Sequence, residues 1–169
     1  GDEDWPLLLP MVKGAVASLD AFQAVMKEHF DHEVGRFVVS GASKRGWTTW
    51  LTAAVDDRVV GIAPMVYNNL NLPAQMELHA RTFPGGASPK IRDYTERGII
   101  EMITTDAGKS LVAIVDPYAY IDRLTVPKLL LHGTNDPYWP VDALNVYFDD
   151  LPGETRVVNF PNGGHDLGG

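Results

Sequence analysis

The sequence predicts an α/β fold, in which four mostly parallel strands are flanked by helices and a helical segment is inserted between the second and third strands. Two observations carry that prediction. Short runs rich in β-branched and aliphatic residues alternate along the 169 residues with longer stretches of helical period, the pattern that builds a parallel sheet through crossovers. Several of the strand candidates also end in loops of Gly, Ser, Asn and Asp, where parallel sheets gather their reactive groups.

Taken in order, apolar residues at Val12, Ala15, Val16, Leu19, Phe22, Met26 and Phe30 recur in steps of three and four. They predict an amphipathic helix of about six turns over 8–30, with Gly14 a mild cost inside it. Arg36-Phe37-Val38-Val39-Ser40 reads as a buried strand, residues 44–55 as a helix, and Val59 to Val66 as a second strand. From Tyr67 to Leu124 short helical pieces (73–82, 90–104 and 107–114) are interrupted by Pro84-Gly85-Gly86 and Asp116-Pro117. That stretch is too long for a plain βα connection, so 67–124 is expected to form a helical cap. Pro127 to Gly133 is the third strand, 140–151 a helix, and Arg156 to Phe160 the fourth strand, with helices expected on both faces of the sheet.

Composition bounds the partners. Apolar residues make up 45% and charged residues 21%, as in an ordinary globular domain. A net charge of −8 argues against nucleic acid, whose phosphates need a basic face. The absence of cysteine removes disulfides, thiolate metal sites and a cysteine nucleophile together. No metal or cofactor is called for. No apolar run is read as a membrane span, and no leader is visible in the opening Gly1-Asp2-Glu3-Asp4-Trp5.

The chemistry is carried by Gly41-Ala42-Ser43-Lys44-Arg45-Gly46, placed where the first strand turns into a helix. A serine on that turn, among small residues, is the nucleophile elbow of α/β-hydrolases. The following helix supplies a positive field, and the Lys44 amide is placed to face a developing oxyanion. The common pattern is G-x-S-x-G, whereas here Arg45 takes the second position after serine and the glycine is displaced to Gly46. Read alone, the motif fits a Ser/Gly loop capping a helix equally well. Chain order decides for the catalytic reading: Ser, then Asp, then His, each after a strand. Asp136 follows the third strand in His132-Gly133-Thr134-Asn135-Asp136-Pro137, and His165 follows the fourth in Pro161-Asn162-Gly163-Gly164-His165.

Rivals for each role are weaker. Asp142 falls in the first turn of a predicted helix, where a carboxylate simply suits the dipole. Asp166 adjoins the histidine and reaches its own neighbour's ring poorly. His29 and His32 sit at a helix end and its loop, His79 lies within the cap, where it could face the substrate but is rather expected at the surface, and His132 is expected to be a buried, hydrogen-bonded structural residue.

Gly41 to Trp50, Asp116-Pro117-Tyr118, Gly133 to Trp139 and the Gly-Gly-His at 163–165 together resemble the PhoPQ-activated pathogenicity-related protein family. The resemblance runs through nearly the whole chain. It implies an α/β-hydrolase fold, a serine hydrolase triad, kinship to prolyl-oligopeptidase-type and esterase-type hydrolases, and an exported bacterial protein. Members usually carry a small residue after the histidine, where this chain has Asp166.

Lys44 and Arg45 oppose the dipole of the helix they begin, each at a cost of up to about 1 kcal/mol. Either a carboxylate elsewhere in the protein offsets this, or an anionic substrate group or the oxyanion does. Arg45, Trp47, Tyr67, Asn68, Asn69, Tyr138 and Trp139 fall on loops that should rim the site and are candidate substrate-binding residues; Trp47 and Trp139 serve packing equally well. The expected substrate is a small ester or peptide, the oligomeric state is undetermined, and the segment reads as the C-terminal part of a larger hydrolase domain. It lacks an earlier loop for the second oxyanion donor and a helix to close the sheet, so on its own it is expected to be inactive.

Overall fold

Helix α1 (Leu8–Phe30) follows the apolar period and ends where Asp31 takes a left-handed conformation, φ 48°. The His32 N–H then closes the last turn on the Met26 carbonyl at 3.1 Å, a Schellman-type stop. The structure is a computed structural model that describes residues 6–168; the opening run Gly1–Trp5, read for a leader, lies outside it. Arg58 fastens α1 to the body of the domain, pairing with Asp20 at 2.7 Å and Asp56 at 2.6 Å. With 23 residues and a mean hydropathy of 1.2 over its best window, α1 is long and apolar enough to cross a membrane, which amends the expectation that no run approaches that length. It nevertheless carries Lys13, Asp20, Lys27 and Glu28 and packs against the next helix.

The four strands form where they were expected: β1 (Phe37–Ala42), β2 (Val59–Met65), β3 (Lys128–Gly133) and β4 (Thr155–Phe160). They pair in parallel in the order β1-β2-β3-β4. Sequential order has a consequence. Right-handed crossovers that always step the same way put every connection on one face of the sheet. On that face Val39, Ile62, Leu130 and Val157 meet Trp50 of α2 (Lys44–Val55), together with Leu70, Leu124 and Tyr147. Burying each large side chain there contributes about 2 kcal/mol. Among the described residues nothing covers the opposite face, and Val38, Leu129 and Val158 are 73, 38 and 40% exposed. Helices on both faces were expected, and among the described residues one face has them.

Between β2 and β3 the chain forms only helices and loops: α3 (Leu72–Thr82), α4 (Arg92–Thr95), α5 (Ile99–Met102) and α6 (Asp106–Val115), with 3₁₀ turns at Pro89–Ile91 and Pro117–Arg123. The piece predicted over 90–104 is broken at Gly98, whose φ of 64° no ordinary helical residue takes. Thr105 starts α6 by accepting the Gly108 N–H on its hydroxyl at 3.1 Å.

The helix predicted over 140–151 does not form. Two 3₁₀ turns, Ala143–Val146 and Phe148–Asp150, stand in its place. Tyr147 between them is drawn out of helical geometry (φ −142°, ψ −5°), because its ring is buried and its hydroxyl donates to Asn68 Oδ1 at 2.8 Å. Burial of that ring and its hydrogen bond outweigh the few tenths of a kcal/mol of helix propensity at stake.

Candidate active site

Each of the three candidate side chains, Ser43, Asp136 and His165, sits on a loop at the carboxyl end of a strand. Ser43 follows β1 with φ 57° and ψ −122°, a strained conformation for a residue with a side chain. Its N–H is held by the Met65 carbonyl at 2.9 Å. The surrounding glycines explain the irregular motif. A Cβ on Gly41 would lie 2.6 Å from the Arg45 carbonyl oxygen, and one on Gly46 would lie 2.9 Å from Met65 O and 3.0 Å from Tyr67 Cβ. The close approach of α2 to the end of β2 therefore falls at position 46, which leaves Arg45 exposed and free to be large.

Asp136 and His165 are brought together by a similar contact. Gly133 lets the loop after β3 lie against the loop after β4, since a Cβ there would meet the Gly163 and Gly164 carbonyls at 2.3 Å. Across that seam Asn135 N–H donates to Gly163 O (2.9 Å), and Asn162 N–H donates to the Thr134 hydroxyl (2.9 Å). Asp136 Oδ1 accepts the Tyr138 N–H at 2.8 Å. Asp136 Oδ2 pairs with His165 Nδ1 at 2.8 Å, and His165 Nε2 lies 2.8 Å from Ser43 Oγ. With Nδ1–H donating to the Asp136 carboxylate, Nε2 is left as the acceptor for the serine hydroxyl. The Tyr138 ring packs on the imidazole, centroids 4.1 Å apart and tilted 33°. Asp166 does not enter this chain; its carboxylate accepts the Gly168 N–H at 3.0 Å and tightens the histidine loop.

The Lys44 amide belongs to the first turn of α2, whose N–H groups have no intrahelical partner and point beyond the helix end next to Ser43. Neither Lys44 nor Arg45 makes an ion pair among the described residues. A cavity of about 490 Å³ opens beside Ser43 and Lys44, bounded by Trp47, Tyr67, Asn69, Tyr138 and Trp139. Trp47 stacks on Tyr67 at 5.1 Å and also donates its indole N–H to Val115 O at 2.6 Å, so it packs and lines at once. Two candidates point elsewhere. Asn68 faces the core, where it accepts from Tyr147, and Arg45 lies outside the cavity wall.

The sequence reading missed the far wall of the cavity, made by Leu72, Met76, Ile91, Ile99, Ile103 and Val112. Its signal was an excess of aliphatic residues in short helices too small to need them. His79 was placed at the surface and is fully buried, against Trp139 at 5.8 Å, with burial lowering its pKa to about 4. His132 is buried as expected, but its ring nitrogens have no hydrogen-bond partner among the described residues. The helical segment is tied to the acid loop by Ser88, whose hydroxyl donates to Pro137 O at 2.5 Å. Asp116 braces it from below: it accepts N–H groups from Leu72 (2.6 Å), Tyr118 (3.0 Å) and Asn71 (3.3 Å), and burial raises its pKa to about 6 against their opposing pull.

A family model described as "PhoPQ-activated pathogenicity-related protein" matches residues 1–169. The Dictyostelium discoideum protein "Autocrine proliferation repressor protein A" is 35% identical over 167 residues, which are 98% of this chain and 33% of that protein. The chain thus spans about a third of the length of this curated relative. Among solved structures, the acylaminoacyl peptidase of Pyrococcus horikoshii superposes with a TM-score of 0.66 at 16% identity, over 94% of this chain and 24% of its own. An acetyl xylan esterase from Paenibacillus sp. R4 gives 0.64 at 17% identity, over 95% of this chain and 47% of its own. These likenesses show an α/β-hydrolase fold.

Proposed function

The chain belongs to the PhoPQ-activated pathogenicity-related protein family, and from that premise we propose that it carries the reacting groups of a serine hydrolase acting on ester or amide bonds. One observation supports this above all: an unbroken hydrogen-bonded chain, Ser43 Oγ to His165 Nε2 and His165 Nδ1 to Asp136, with both links at 2.8 Å. Ser43 Oγ attacks the substrate carbonyl carbon while its proton passes to His165 Nε2. The Lys44 N–H receives the charge that develops on the carbonyl oxygen. As the tetrahedral adduct collapses, the bond to the alcohol or amine breaks and His165 returns the proton to that leaving group. Water then gives a proton to His165 and attacks the acyl carbon; the bond to Ser43 Oγ breaks, His165 returns the proton to Oγ, and the acid is released. Asp136 keeps its charge throughout and holds the tautomer. In this reading 67–124 is the cap over the site, and residues 1–169 are part of a larger domain that supplies the second oxyanion donor; alone they are inactive.

Hydrolysis of a panel of acyl esters and aminoacyl or prolyl amides by the full-length protein tests the proposal. Turnover that Ser43→Ala abolishes supports it, and turnover that Ser43→Ala leaves intact rejects it.

The name of the Dictyostelium relative favours a second reading, a regulator that keeps the hydrolase scaffold without turnover. That reading predicts that Ser43→Ala retains every biological effect of the full-length protein.

A further inference from the structure

The cavity beside Ser43 is unlike a site built for a small acyl group. Its volume of about 490 Å³ falls in the range of pockets that enclose whole drug-sized ligands. The wall is largely aliphatic, with Leu72, Met76, Ile91, Ile99, Ile103 and Val112, and Lys90, Asp93 and Tyr94 also line it. An acetyl group would leave most of that apolar wall uncovered.

The arrangement also says which part of a substrate enters. His165 must protonate the leaving group, so the leaving group lies beside the imidazole. His165 is not part of the cavity wall, whereas Ser43 and Lys44 are. The group that extends into the cavity is the one that stays on Ser43. We infer that the substrate carries a long or bulky apolar acyl group, seated against the helices of 67–124. This rests on the serine hydrolase reading and narrows it to large apolar acyl donors.

The test uses the full-length protein and p-nitrophenyl esters from acetate through butyrate and hexanoate to octanoate. Each methylene buried against the wall is expected to raise kcat/KM by about fourfold until the cavity is filled. Val112→Trp, with Val112→Phe as the milder second variant, is expected to lower the octanoate-to-acetate ratio at least tenfold by filling the cavity. A flat or falling acyl series, or a ratio that neither folded variant moves, overturns the inference. So does a series in which kcat/KM rises only with the alkyl length of the alcohol in acetate esters. A methyl fluorophosphonate separates the two levels: labelling of Ser43 with a flat acyl series rejects the apolar acyl group and leaves the hydrolase reading standing. Failure of even this small reagent to label Ser43 rejects both.

Discussion

Ser43 stores its strain in a backbone conformation that two neighbouring glycines make possible, and it depends on His165 being held in one tautomer. At this scale the account is most sensitive to Asp136. Asp136→Asn keeps the shape and loses the charge, so kcat is expected to fall on the order of 10⁴-fold, the scale of that exchange in a serine triad. Steady-state kinetics beside an unchanged far-UV spectrum checks it. Tyr138 acts one step further away, through its ring against the imidazole at 4.1 Å. Tyr138→Ala is expected to lower kcat about ten- to hundredfold, as small misplacements do, while Tyr138→Phe restores it. That Ser43, Asp136 and His165 meet was legible in the sequence because each follows a strand in the order Ser, Asp, His. Asn68 instead turns to the core, since adjacency along the chain does not say which way a side chain turns. Tyr147, its partner, lies 79 residues away.

Among the elements, the helical segment between β2 and β3 depends on close backbone approaches and on one buried carboxylate. A Cβ on Gly108 would fall 1.9 Å from Met102 O, so α6 packs on the end of α5 only with glycine there. Gly108→Ala is expected to destabilise by at least about 2 kcal/mol, or roughly 5 °C in Tm. Gly14 is the contrast, since a Cβ there meets nothing within 4 Å inside α1. Gly14→Ala is expected to stabilise by up to about 1 kcal/mol, and thermal melts of both variants check the pair. Asp116 makes stability pH-dependent. Burial raises its folded-state pKa to about 6 from an ordinary 3.8, so the folded state takes up a proton first as pH falls. Its contribution is therefore fully present below pH 3.8 and lost as pH rises through about 6. Denaturation followed across pH 4 to 7 should show the slope in the wild type and lose it in Asp116→Asn. Helical period foretold α1, α2 and α6. It failed over 140–151, where a buried tyrosine and its hydrogen bond, invisible to period, win over propensity.

At the scale of the whole molecule, a sheet with its connections on one face leaves the other uncovered among the described residues, and Val38, Leu129 and Val158 stand exposed on it. Alternating helix and strand announces a parallel sheet, but it does not announce strand order, and order decides which faces are covered. An apolar face of that kind is a docking or aggregation surface. Residues 1–169 are accordingly expected to bind a hydrophobic dye and to self-associate at micromolar concentration, as light scattering would show. The central claim concerns the full-length protein: Ser43 is a nucleophile activated by His165. Incubation with a fluorophosphonate followed by peptide mass mapping tests it most directly. The account predicts one adduct, on Ser43, that His165→Ala suppresses. A folded full-length protein that takes no label on Ser43, or takes it equally well without His165, contradicts it.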